Sequence, residues 1–161
     1  MKPLVVLLGF FIAASVLFKL ASGSWHTTVT GNYALSIMLL FTAIGHVKYT
    51  YGMAMMLPRL IPFKKAVIYT TGILEIVLAM GFLFPEYRLL AGIVFVIFLI
   101  LALPANIRSA FLHINYETGA QDGRGPAYLW FRVPMQLFLL LWVFYFAIRD
   151  HFPKCFYSED N

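Results

Sequence analysis

Apolar residues run along this chain in five long blocks, separated by short polar or proline-containing stretches. Each block holds roughly twenty residues, enough for a helix rising about 1.5 Å per residue to cross a hydrocarbon core of about 30 Å. The first, Pro3 to Leu20, follows Lys2 and precedes the small residues Ala21, Ser22 and Gly23. A secretory signal has that layout too, but Lys19 interrupts the path to any cleavage site, so a retained helix is predicted. The chain is then expected to turn through Gly31 and Asn32. A second block begins at Tyr33 and passes His46 to reach about Ala54, with Lys48 near its end. Met55 to Lys65 is apolar and basic and contains Pro58 and Pro62, which cannot continue a regular helix, so it reads as a short cap in the membrane interface. The third block, Ala66 to Phe84, carries one charge, Glu75, and leaves tightly through Pro85, Glu86 and Tyr87. The fourth, Leu89 to Ile107, is free of charge between Arg88 and Arg108. A polar stretch from Asn115 to Pro126, with turns at Gly119, Gly123 and Gly125, leads to the fifth block, Ala127 to Ile148, which contains Arg132.

The fold class expected is therefore an all-α integral membrane helical bundle. Composition agrees: 61% of the 161 residues are hydrophobic and 12% charged, against roughly 45–50% and 25% in soluble domains. The mean hydropathy is +0.82. Three regions are expected: residues 1–32, a transmembrane helix and its external loop; 33–148, four further helices; and 149–161, a polar tail. The net charge of +5 does not point to nucleic acid, because the basic residues stand singly at the ends of apolar blocks. They read as topology signals. Five spans collect Lys2, Lys48, Arg59, Lys64, Lys65, Arg108, Arg124 and Arg132 on one side, against Lys19, Arg88, Arg149 and Lys154 on the other. The positive-inside rule then puts the N-terminus in the cytoplasm and the C-terminus outside. The single cysteine, Cys155, excludes an internal disulfide and a dithiol redox route.

Candidate chemistry lies inside the blocks. On the predicted topology His46, Glu75, Arg132 and Gln136 fall roughly 7–13 Å in from the cytoplasmic ends of their helices, with Asn106 near the same mouth. A charge near a helix centre costs about 2.5–3.5 kcal/mol by insertion scales, so Glu75 and Arg132 are expected to pair inside the bundle. Thr42 and His46, Thr71 and Glu75, and Arg132 and Gln136 are each spaced i, i+4, so each helix can present two polar groups on one face. The structural alternative is that these residues only fasten helices together. The four histidines lie in different segments, with no ligand spacing between them, so neither a metal nor a haem is expected. The aromatic residues, Trp130, Trp142 and Tyr145 among them, read mostly as interface anchors or lipid-facing bulk.

Five motifs in order carry a resemblance. They are Phe41-Thr42-Ala43-Ile44-Gly45-His46, Met55-Met56-Leu57-Pro58 with Ile61-Pro62, Thr71-Gly72-Ile73-Leu74-Glu75, Leu103-Pro104-Ala105-Asn106, and Leu129-Trp130-Phe131-Arg132-Val133-Pro134-Met135-Gln136. Over residues 33 to 148 the chain resembles the DoxX-like family of small bacterial membrane proteins. The resemblance implies a four-helix core with one added N-terminal helix, in a bacterial inner membrane. It also implies association with redox complexes of the membrane, although the cysteines of a thiol route are missing. A looser similarity to the four-helix EXPERA group keeps a lipophilic ligand in view. The expectation is thus an apolar cavity for a quinone- or lipid-like molecule, with a polar cluster of His46, Glu75, Arg132 and Gln136 at its base and Asn106 at its mouth. The alternative is a non-catalytic structural or assembly subunit beside a partner membrane protein. Proton transfer by Glu75 comes third.

Overall fold

The structure, a computed structural model, describes residues 2–149. They form six α-helices: α1 (Lys2–Ser22), α2 (Thr27–Lys48), α3 (Thr50–Met56), α4 (Lys64–Leu83), α5 (Arg88–Phe111) and α6 (Leu129–Val143). Single 3-10 turns at Pro85–Tyr87 and Pro126–Tyr128 introduce α5 and α6, and a π-helical turn, Phe144–Ile148, extends α6. Five helical stretches are long and apolar enough to cross a membrane, α3 being the one that is not. The chain is a multi-pass helical membrane protein. Cys155 and His151 lie outside the described residues.

α2, α4, α5 and α6 close into a ring in which α2 meets α4, α4 meets α5, α5 meets α6, and the π turn returns to α2. α1 packs on the outside of α2. The ring's centre is filled by Leu35, Leu39, Leu78, Ala79, Phe82, Phe95 and Val143. α1 adds Leu7, and Phe11 completes an aromatic cluster with Trp142 and Phe146, at ring separations of 4.9 and 5.5 Å. Small residues set the closest approaches, as packing between membrane helices requires. Ala79 is fully buried, and its carbonyl accepts a 2.6 Å hydrogen bond from Ser36 Oγ across the α2–α4 contact. Ser15 and Thr30 hydroxyls meet at 3.1 Å between α1 and α2.

Two sequence expectations fail here. Gly31 and Asn32 do not turn the chain, because α2 already begins at Thr27 and both residues are buried inside it. Asn32 Nδ2 donates to Thr28 O at 2.8 Å, one turn back, and to Phe146 O at 2.7 Å. Gly31 leaves room for the Phe146 ring, which lies 2.5 Å from where a Cβ would stand, and its carbonyl accepts from Trp142 Nε1 at 3.1 Å. Turn-forming residues thus serve interhelical packing, and Trp142 is core rather than an interface anchor. Second, the block expected to run to Ala54 breaks at Tyr49. α3 leaves α2 there and leans on α4 and α5, where Gly52 admits the Tyr116 carbonyl into space a side chain would fill.

The end of α3 is tied down by charge. Arg108 Nη1 on α5 donates to the carbonyls of Met55, Met56 and Leu57 at 3.0, 3.0 and 2.8 Å, and Lys64 Nζ reaches Leu57 O at 3.2 Å. Cations suit a helix C-terminus because its last carbonyls lack partners and carry partial negative charge. The chain then crosses Pro58 and Pro62 to enter α4 through Phe63, whose φ of 48° is left-handed. At the same end Lys2 Nζ lies 2.9 Å from Glu117 Oε1, which sets the start of α1 beside the loop between α5 and α6. Five spans require that shared side.

Candidate functional site

Of the five residues expected in one cluster, the structure makes two separate groups. The first joins α2 to α4. His46 sits in the last turn of α2, roughly 3 Å along the axis from its end, because the helix stops at Lys48. That is nearer the helix end than its sequence position implies. Gly72 lets the helices close here, the His46 Cβ standing 2.9 Å from where a Gly72 Cβ would be. Gly45, the other small residue of this region, faces open space save for a distant Met53 methyl. A helical side chain leans toward its own N-terminus, so His46 reaches along α4 toward Glu75, one turn beyond Gly72.

The hydrogen bonds of His46 fix its tautomer. Thr71 Oγ1 donates its one proton to Ile68 O at 2.8 Å and so accepts from His46 Nδ1 at 3.0 Å; the same Nδ1 lies 3.1 Å from Ile68 O. Nδ1 therefore carries hydrogen. Nε2 faces Glu75 Oε2 at 3.5 Å, an ion-pair distance longer than a well-made hydrogen bond. Glu75 is 5% exposed, and Oε2 has no hydrogen-bond partner. A neutral imidazole against a carboxylate would set two acceptors face to face. Thr42, the polar residue one turn before His46, bonds Leu39 O within α2 and takes no part.

The second group joins α5 to α6. Arg132 Nη1 donates to Asn106 Oδ1 at 2.5 Å, and its guanidinium lies 5.2 Å from the centre of the Tyr128 ring. Gln136 Nε2, one turn on, donates to Leu99 O at 2.6 Å. Leu99 adjoins Ile100, whose carbonyl has lost its helical partner to Pro104, which has no N–H. Arg132 and Gln136 thus share a face, as their spacing predicts, and Asn106 lies beside Arg132.

The expected Glu75–Arg132 pair is not formed. Among the described residues the ion pairs are His46–Glu75 and Lys2–Glu117. The reason is helix order: α4 packs chiefly on α2, and the N-terminal half of α6 rests on α5. Each charge finds its partner on the neighbouring helix. No group of three or more histidine, cysteine or acidic side chains suited to a metal occurs among the described residues.

Two spaces open near this end of the bundle. One, about 90 Å³, is lined by Ala43, His46, Val47, Tyr69, Gly72, Ile73 and Ile76. The other, a groove of about 430 Å³, is walled by Tyr51, Ala54, Met55, Phe63, Lys64, Lys65 and Ala66. The expected cavity ending on two or more of His46, Glu75 and Arg132 matches neither, since the first reaches His46 alone and the second none of them. At 90 Å³ the space on His46 is also well below the roughly 300–1,000 Å³ of small-molecule pockets.

Residues 35–147, well over half of the chain, match a family model described as "Domain of unknown function (DUF8561)". The match starts within α2 and ends in the π turn, so α1 precedes it. Neither the curated proteins nor the solved structures give a match.

Proposed function

The chain belongs to the DUF8561 family, and from that premise we propose that it is a non-catalytic, DoxX-like subunit of a membrane complex. Its bundle presents lipid- and protein-facing surfaces, and its intramembrane polar residues hold helix register. The observation that carries this reading is the division of the polar cluster into two fasteners. His46, Thr71 and Glu75 tie α2 to α4, and Asn106, Arg132 and Gln136 tie α5 to α6. Interhelical polar contacts of this kind stabilise by about 0.6 kcal/mol each on average, and they divide between two helix pairs the groups that a shared ligand would need together. The basic residues that flank the helices favour a cytoplasmic N-terminus, and the DoxX-like resemblance favours a bacterial inner membrane.

A second reading rests on Glu75 Oε2. A buried carboxylate oxygen without a hydrogen-bond partner, one turn from a space that touches His46, is where the polar head of a quinone- or lipid-like ligand would add a contact. One experiment separates the two. Asn106→Leu, Arg132→Met and Gln136→Leu are combined in one variant, and His46→Leu and Glu75→Leu in another. Each is purified from native membrane in mild detergent and examined by mass spectrometry for lipid, quinone and protein. On the subunit reading both variants fold and keep the wild-type set of companions. A folded His46/Glu75 variant that has lost a stoichiometric lipophilic molecule overturns it in favour of the ligand reading.

A further inference from the structure

The wider groove lies apart from both polar groups, between α3 and the start of α4. Its walls are carbon-rich: Tyr51, Ala54 and Met55 from α3, and Phe63 and Ala66 from the entry to α4, with Lys64 and Lys65 beside them. Phe63 is 85% exposed and held in a left-handed conformation that is unusual for a bulky residue. Leu60, three residues earlier, is 94% exposed. Such outward side chains are unfavourable in water and suit acyl chains.

The charge around the groove is one-sided. No acidic residue occurs in the sequence before Glu75, and the acidic partners in ion pairs among the described residues are Glu75 and Glu117, committed to His46 and Lys2. Lys64 is turned to the Leu57 carbonyl, and Lys65 has no carboxylate partner among the described residues. An apolar trough about 430 Å³ in volume, edged by two lysines at the level where a membrane helix begins, matches a molecule with an anionic head and an apolar tail.

We propose that the groove between α3 and the start of α4 seats an anionic phospholipid, with Lys65 at the phosphate and Tyr51, Met55 and Phe63 along an acyl chain. The Lys65 stem can lie along the apolar wall and carry its ammonium group to headgroup level. The site is independent of the His46–Glu75 pair and of the subunit reading.

The test uses the full chain in nanodiscs containing equal amounts of phosphatidylglycerol and phosphatidylcholine, released into native mass spectrometry. Wild type should retain phosphatidylglycerol roughly fivefold over phosphatidylcholine, the preference one basic residue near an anionic surface gives. Lys65→Gln should abolish the preference, whereas Lys19→Gln, at the other end of α1, should leave it. Phe63→Gly removes the apolar wall while glycine accepts the left-handed backbone, so it should lower retention of both lipids without lowering the thermal midpoint in lipid-free detergent. Equal retention of the two lipids by wild type overturns the proposal. So does an equal loss with Lys19→Gln, or release of phosphatidylglycerol by inorganic phosphate with Phe63→Gly without effect, which would mark a free-anion site.

Discussion

His46 Nε2 faces Glu75 Oε2 at 3.5 Å while Nδ1 of the same ring is held by Thr71 and Ile68, so the ring cannot turn away without giving up its other bonds. Glu75→Gln keeps a group of the same shape whose amide can donate to Nε2, and should change stability by less than about 1 kcal/mol, within the net worth of one hydrogen bond. Glu75→Ala strands the imidazole and should cost about 1–3 kcal/mol. Removing His46 as well should cost less than the two single losses added together. Thermal unfolding in one detergent gives all four values, and equal losses for Gln and Ala would show that the carboxylate's place is taken by packing alone.

At the other end of α2, Asn32→Leu conserves size but leaves the Phe146 carbonyl without its donor inside the bundle. A loss of about 1–3 kcal/mol is expected. Gly31→Val should be worse, since the Phe146 ring would have to leave the cluster it forms with Phe11 and Trp142. If both variants melt within a degree of wild type, the α2–π contact is not what the structure gives.

Sidedness can be read with engineered thiols in a Cys155→Ser background. Ser24, between α1 and α2, and Asp122, between α5 and α6, lie at opposite ends of a five-span bundle. With the N-terminus cytoplasmic, Ser24→Cys should react with an impermeant maleimide in cells whose outer membrane is permeabilised, and Asp122→Cys only after lysis. The reverse pattern inverts the orientation, and labelling of both in such cells denies the five-span count.

The tie between α1 and the α5–α6 loop depends on pH in a defined window. The Lys2 ammonium and then the Tyr116 hydroxyl, both bonded to Glu117, hold its carboxyl below its ordinary value of 4.5. Burial, followed by the bond to Glu117, pushes Tyr116 up from 10.0 to about 12. A depressed carboxyl contributes above its ordinary value and loses that contribution as pH falls through the lowered one; a raised phenol contributes below 10.0 and loses it as pH climbs toward about 12. Amide exchange in the second turn of α1, whose N–H groups bond back to the first, should show a plateau between about pH 5 and 10 once corrected for intrinsic rates. Its protection should weaken beyond either edge and with added salt, as exposed pairs do. Protection that is flat into acid would dissociate Glu117 from α1.

The apolar blocks revealed the five spans because lipid imposes one requirement on every lipid-facing position, and that requirement is visible one residue at a time. Pairing between helices is not. Glu75 and Arg132 were matched by depth and charge, yet depth leaves helix order open, and each found a neutral or titratable neighbour, His46 or Asn106. Arg132, Gln136 and Asn106 do assemble, because an i, i+4 pair on one helix and a residue near the matching end of the next need no knowledge of the ring. Gly31 and Asn32 misled because the property that suits them to turns, a small or self-bonding side chain, also lets two helices touch. Arg108 gave a topology signal but no hint that it would hold the end of α3. Its partners are backbone carbonyls, and those have no sequence signature.

The π turn at Phe144–Ile148 has a consequence for chain length. Each residue added to or removed from an α-helix rotates the downstream part of the chain by about 100°, and a π turn is the local trace of one residue more than an α-turn needs. Because the turn absorbs that residue locally, deleting one there would restore the ordinary winding and keep Ala147 and Ile148, both buried, on the face they share with α2 and α5, whereas a deletion earlier in α6 would swing them off it. α6 is therefore fixed in phase as well as in sequence. Its α-helical part tolerates exchanges of apolar side chains far better than any change in their number, whereas the π turn, which can give up its extra residue, and the loop at residues 23–26 before α2 are where the chain can vary in length.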